Sequence, residues 1–90
     1  MCGGFTAFRL FTSEEKELFV KILDPIVGVD YLPLAVATQV VAGTNYAFLC
    51  ESKVVRPDSL SYNSLVIIHK PLPHVNEAPS LMEIKTVKII

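Results

Sequence analysis

The sequence predicts an α+β fold in which one α-helix packs on a four- to five-stranded antiparallel β-sheet. Three observations predict it. A single segment, Ser13 to Leu23, repeats its apolar residues at helical spacing behind a capping box. From Tyr31 onward the apolar period changes from 3.6 to 2. Turns built on glycine and proline then divide the remainder into strands.

Taken in order, residues 5 to 11 carry Phe5, Phe8 and Phe11 and offer a short fifth strand ahead of the helix. Thr12 with Glu15 three residues later forms the capping box, and Ser13-Glu14-Glu15 places negative charge at the positive end of the helix dipole. The helix therefore starts at Ser13. Leu18, Phe19, Ile22, Leu23 and Ile26 share one face, while Glu14, Lys16, Glu17 and Lys21 lie elsewhere, with Glu17 and Lys21 at the favourable i, i+4 spacing. Asp24-Pro25 disfavours helix at residue 24, which ends the regular helix near Leu23.

In the next segment Leu32, Leu34, Val36, Thr38 and Val40 are expected on one side of a strand, with Pro33 marking an irregular or edge start. Val41-Ala42-Gly43-Thr44 is a hairpin turn. After it Tyr46, Phe48 and Cys50 oppose Asn45, Ala47 and Leu49. Arg56-Pro57-Asp58-Ser59 is a second turn by composition, and Leu60 to Lys70 a third strand rich in Val66, Ile67 and Ile68. Pro71-Leu72-Pro73-His74 cannot continue a sheet, because two prolines lack the ladder N–H. Ser80 to Ile90 is the last strand, with Met82, Ile84, Thr86, Lys88 and Ile90 opposite Leu81, Glu83, Lys85, Val87 and Ile89.

Composition bounds the function. Ninety residues suit one domain, read as 1–90, and 51% hydrophobic residues with 19% charged exclude a disordered chain. Eight basic against nine acidic residues give a formal charge of −1, which leaves no electrostatic footprint for nucleic acid and no polybasic patch for an anionic membrane. The apolar stretch from Ile26 to Gly43 is interrupted by Asp30, Pro33 and Gln39 and does not predict a spanning helix. Met1-Cys2-Gly3-Gly4-Phe5 has neither a basic lead nor a long apolar core, so no signal peptide is expected. Cys2 and Cys50 make a poor disulfide framework. Both thiols are read as reduced and the compartment as cytoplasmic.

Geometry then points to one end of the sheet. The strand after Gly43 runs about 11 residues, roughly 36 Å, and the strand after Ser59 returns over nearly the same distance. The turn at Val41 to Thr44 and the proline turn at Leu72 to Val75 therefore share an end, and both expose apolar side chains where polar turn residues are usual.

These two segments also carry a family resemblance. Gln39-Val40-Val41-Ala42-Gly43-Thr44-Asn45-Tyr46 is similar to the QxVxG signature of the cystatins, in the QVVAGTNY form typical of stefins. Leu72-Pro73-His74, with Asn76 and Pro79 following, resembles the stefin second loop, and Met1-Cys2-Gly3-Gly4 the stefin N-terminus. Order and spacing of elements agree over essentially the whole chain. The resemblance implies a cystatin-like fold and a reversible, tight-binding inhibitor of papain-like, cathepsin-type cysteine proteases. The implied protease-binding residues are Met1, Cys2, Gly3 and Gly4 of an arm, Gln39, Val40, Val41, Ala42 and Gly43 of a first loop, and Leu72, Pro73 and His74 of a second. Gly3 or Gly4 corresponds to the family's hinge glycine. No cofactor, nucleic acid or membrane partner is implied, and the expected state is a monomer in which hairpin exchange through the first loop offers a route to a dimer. The chain departs from the family in being shorter than typical stefins and in lacking tryptophan, and it has neither the Pro-Trp second loop nor the disulfides of secreted cystatins.

Other readings of the same residues are weaker. Two histidines and two cysteines assemble no nucleophile with a base and an orienting group, so no enzyme is predicted. His69 and His74 stand five apart with no third ligand nearby and make no metal site. Cys50 is in phase with Tyr46 and Phe48 and reads as a small core residue. A cystatin-fold interaction module without inhibitory activity is the alternative, because a fold alone does not fix a function.

Overall fold

Thr12 and Glu15 start the helix as their spacing requires. In the computed structural model, which describes residues 4–88, Thr12 Oγ1 accepts from the Glu15 N–H (3.2 Å) and Glu15 Oε1 accepts from the Thr12 N–H (2.8 Å). Helix α1 spans Ser13–Leu23 and closes on Asp24, whose N–H donates to the Val20 carbonyl ahead of Pro25. Four strands follow, β1 (Val29–Val41), β2 (Gly43–Val54), β3 (Tyr62–Lys70) and β4 (Ser80–Val87), and they pair antiparallel in chain order β1-β2-β3-β4.

The helix lies across one face of this sheet. Val36, Phe48, Val66 and Ile84 form a row across all four strands, because Val36 pairs with Phe48, Phe48 with Val66 and Val66 with Ile84. Phe19 from the helix meets this row, its ring centroid 4.9 Å from that of Phe48 and tilted by 56°. Cys50 and Ile68 complete the buried core, with Phe11, Leu18, Ile22, Leu23, Tyr31, Tyr46 and Leu81 packed around it. Cys50 is thus the small core residue its phase predicts, and burial pushes its thiol up to about 12.

Two bulges correct the expected strand phases. Pro33 pairs with Cys50 but Ala35 pairs with Leu49, so Leu34 is an extra residue in β1. Leu32 and Leu34 therefore do not share the core face with Val36. Leu32 stands opposite Glu51 and is 58% exposed, while Tyr31 takes the core side. In β4, Ile67 pairs with Glu83 but Ile68 with Leu81, which leaves Met82 as the extra residue, 57% exposed. Leu81 and Ile84 both reach the core, against the strict alternation expected there. The third strand begins at Tyr62, not Leu60, which is exposed beyond the turn where Asp58 holds φ +61°. Residues 5 to 11 form no strand. They contribute one isolated bridge, Arg9 to Val36, and the fork of Arg9 binds both carboxylate oxygens of Glu15 at 2.8 Å, tying the segment to the helix. Ile89 and Ile90, assigned to the last strand, lie outside the described residues.

No helix among the described residues is long and apolar enough to cross a membrane. No three His, Cys, Asp or Glu side chains among them stand close enough to hold a metal ion.

Candidate functional site

The first loop is very tight. Val41 at the end of β1 pairs with Gly43 at the start of β2, and Ala42 alone lies between them. Such closure demands a left-handed residue, and Gly43 supplies it with φ +111°. A second constraint acts on the same glycine. A Cβ there would overlap the Lys70 carbonyl oxygen and lie 3.0 Å from Pro71 Cα, so the base of the second loop rests against the first. The expected gathering of the two loops is met at this contact.

The second loop leaves β3 at Lys70. Pro71 stops the ladder, and Leu72 to Val75 form a turn in which the Val75 N–H donates to the Leu72 carbonyl (3.0 Å). The Glu77 N–H donates in turn to the Val75 carbonyl (2.9 Å), so the loop carries internal bonds of its own. Pro73 and His74 are exposed, as are Ala42 and Val40, and the segments 39–43 and 71–76 hold no acidic or basic side chain besides His74. Val40 is 68% exposed and Leu72 37%, so Val40 has the more apolar surface left to bury.

The N-terminal segment arrives at the same end. Arg9 exchanges both backbone bonds with Val36 (2.9 and 2.8 Å) and the Thr6 N–H donates to the Thr38 carbonyl (2.9 Å). One residue is gained between these contacts, and the free Thr38 N–H donates to Thr6 Oγ1 (3.0 Å). The antiparallel sense carries Phe5 and Gly4 past Thr38 towards the first loop. Gly4 is exposed, with open space where a Cβ would stand. Met1, Cys2 and Gly3, assigned to the arm, lie outside the described residues.

The structure thus brings Gly4, Gln39 to Gly43 and Leu72 to His74 to one end of the molecule. It adds two residues that the loop motifs do not name. Asn45 Nδ2 donates to Gln39 Oε1 (3.0 Å), and His69 Nδ1 lies 2.7 Å from Asn45 Oδ1. The signal for them is their register. Gln39 pairs with Asn45 and Asn45 with His69, a polar row one step behind the loops that only strand pairing reveals.

No family model matches the chain and no curated protein matches it in sequence. Among solved structures it is similar to a secreted type 1 cystatin from Fasciola hepatica, at 28% sequence identity and a TM-score of 0.74, over 98% of this chain and 99% of that one. The chain has a cystatin-like fold. The likeness takes in the helix and all four strands of this chain, together with the end where the two loops meet. It is a likeness to an inhibitor, not to an enzyme.

Proposed function

We propose that this chain is a reversible, tight-binding inhibitor of papain-like, cathepsin-type cysteine proteases, in which the arm and the two loops enter the active-site cleft as one wedge. The observation that carries the reading is the close seating of the second loop's base against Gly43, with Val40, Ala42, Leu72 and Pro73 turned outward beside it. In this reading Gln39, Val40, Val41, Ala42 and Gly43 are the central edge of the wedge and Leu72, Pro73 and His74 one flank, while the family resemblance assigns Met1, Cys2, Gly3 and Gly4 to the arm.

The physical logic is that of a rigid, uncharged insert. Burying Val40 and Leu72 against apolar cleft walls is worth about 1–2 kcal/mol each. Two prolines and two hydrogen-bonded turns order the second loop before it docks, and the one-residue connection at Ala42 keeps the first loop short, so little conformational freedom is lost on binding. The wedge presents no scissile peptide to the catalytic thiolate. It covers the nucleophile without being turned over. We also place the protein in the cytoplasm, on the reading of its two thiols; the Fasciola protein is described as secreted. Expression with a C-terminal fluorescent tag and fractionation tests that placement.

Titration of active papain tests the inhibitory reading. The expected result is stoichiometric loss of activity, recovered on dilution, with the inhibitor intact by mass spectrometry. A correctly folded chain that leaves papain fully active at micromolar concentration would make it an interaction module without inhibitory function.

A further inference from the structure

We infer that Asn45 and His69 are positioning residues that lock the two loops of the wedge to each other, an inference that deepens the inhibitory reading and rests on it for its effect on binding. The two loops belong to different connections, the first joining β1 to β2 and the second joining β3 to β4. Among the described residues the ladder between them is β2 with β3, and its last pair is Thr44 with Lys70. Beyond that pair Pro71 has no N–H to give, so backbone bonding ends at the base of both loops. Past it, their relative placement rests on the packing of Lys70 and Pro71 against Gly43 and on side chains.

The Gln39, Asn45 and His69 row supplies it. Asn45 Oδ1 is a carbonyl oxygen and only accepts, so His69 Nδ1 carries the hydrogen of the 2.7 Å bond. Asn45 Nδ2 then donates to Gln39 Oε1 at 3.0 Å. The bonds run in one direction, from β3 through β2 to β1, and all three side chains are partly buried, where such bonds are less open to competition from water. His69 does a second thing. Its Cε1 lies 3.2 Å from where a Cβ on Gly43 would stand, so the ring occupies the side of the hairpin that glycine leaves open. It sits two residues before Pro71, at the root of the second loop. One imidazole therefore touches the turn of the first loop and steers the exit of the second.

The chemistry fixes which replacements work. His69→Leu keeps bulk but has no donor. His69→Asn offers an amide nitrogen near the place of Nδ1. Asn45→Asp keeps the acceptor for His69 and loses the donor to Gln39.

The test has two arms. In the free protein, amide hydrogen exchange over residues 40–44 and 70–75 should be faster in His69→Leu than in wild type, and restored in His69→Asn. With papain, His69→Leu should dissociate three- to tenfold faster at an unchanged association rate, the size expected for one lost hydrogen bond, with His69→Asn within about twofold of wild type. Wild-type exchange and dissociation in His69→Leu would overturn the inference. So would equal loss in His69→Leu and His69→Asn, which would assign the effect to ring shape and not to the bonds. If His69→Leu does not fold by circular dichroism, Asn45→Leu, which removes both bonds, replaces it in both arms, and wild-type behaviour there is the contrary result. If wild type itself fails to bind papain, the inhibitory reading falls, and the exchange arm alone decides whether the lock exists.

Discussion

Glu15 acts at two places at once. Its carboxylate closes the capping box on the Thr12 N–H and takes both prongs of the Arg9 guanidinium, which joins the N-terminal segment to the helix. The Arg9 fork is the main cause that lowers its pKa from the ordinary 4.5 to about 2, with the Thr12 bond adding to it against partial burial. Because the folded value lies below the unfolded one, the charged group stabilises the fold in full above pH 4.5, and that contribution is lost as pH falls towards 2. Glu15→Gln keeps an acceptor for the cap but removes the charge. It should melt at a lower temperature than wild type at pH 7, with the gap closing between pH 5 and pH 2 in a calorimetric series. A gap that stays constant with pH would show that the ion pair contributes nothing. The Thr12 and Glu15 spacing was legible in the sequence because a cap is local. The Arg9 partnership was not, since it depends on the segment from 5 to 11 lying beside β1.

At the scale of the element, Gly43 bears the sharpest demand. It combines φ +111° with a neighbour that a Cβ would overlap, so Gly43→Val adds both backbone strain and a clash with Lys70. A cost of about 1–3 kcal/mol is expected from the strain alone. The helix is held by its own cap between Thr12 and Glu15, so far-UV circular dichroism should keep its helical signal while inhibition weakens sharply. Undiminished inhibition by Gly43→Val would mean that the tight first loop is not needed. The strands also show where sequence reading stops. The period-2 pattern located β1 to β4 and the core phase of β2, which pairs on both sides without interruption. It misplaced Leu32, Leu34 and the residues around Met82, because a bulge inserts one residue and reverses every side chain beyond it. Pro33 signalled irregularity near the first bulge. Nothing local marks the second, which arises where β4 must meet the end of β3 after a proline-held loop.

For the whole molecule, the excess of apolar residues divides between a thin core under one helix and a set of exposed side chains. Several of these, Val40 and Leu72 among them, stand at the loop end, where the loop segments 39–43 and 71–76 carry no acidic or basic side chain besides His74, which suits insertion by shape. The loops themselves were legible as a motif, and their shared end followed from strand lengths. What brings them into contact was not legible, because the approach of Lys70 to Gly43 and the bonds of Asn45 and His69 exist only once β2 and β3 are paired. In the proposed inhibitor this end, and no other surface, meets the protease. Hydrogen exchange of the inhibitor with and without excess papain tests it most directly. Protection should be confined to residues 4–6, 39–44 and 71–76, with the opposite pole at 24–28 and 55–61 unchanged. Protection at that opposite pole or on the helix, with the loops exchanging freely in the complex, would contradict it.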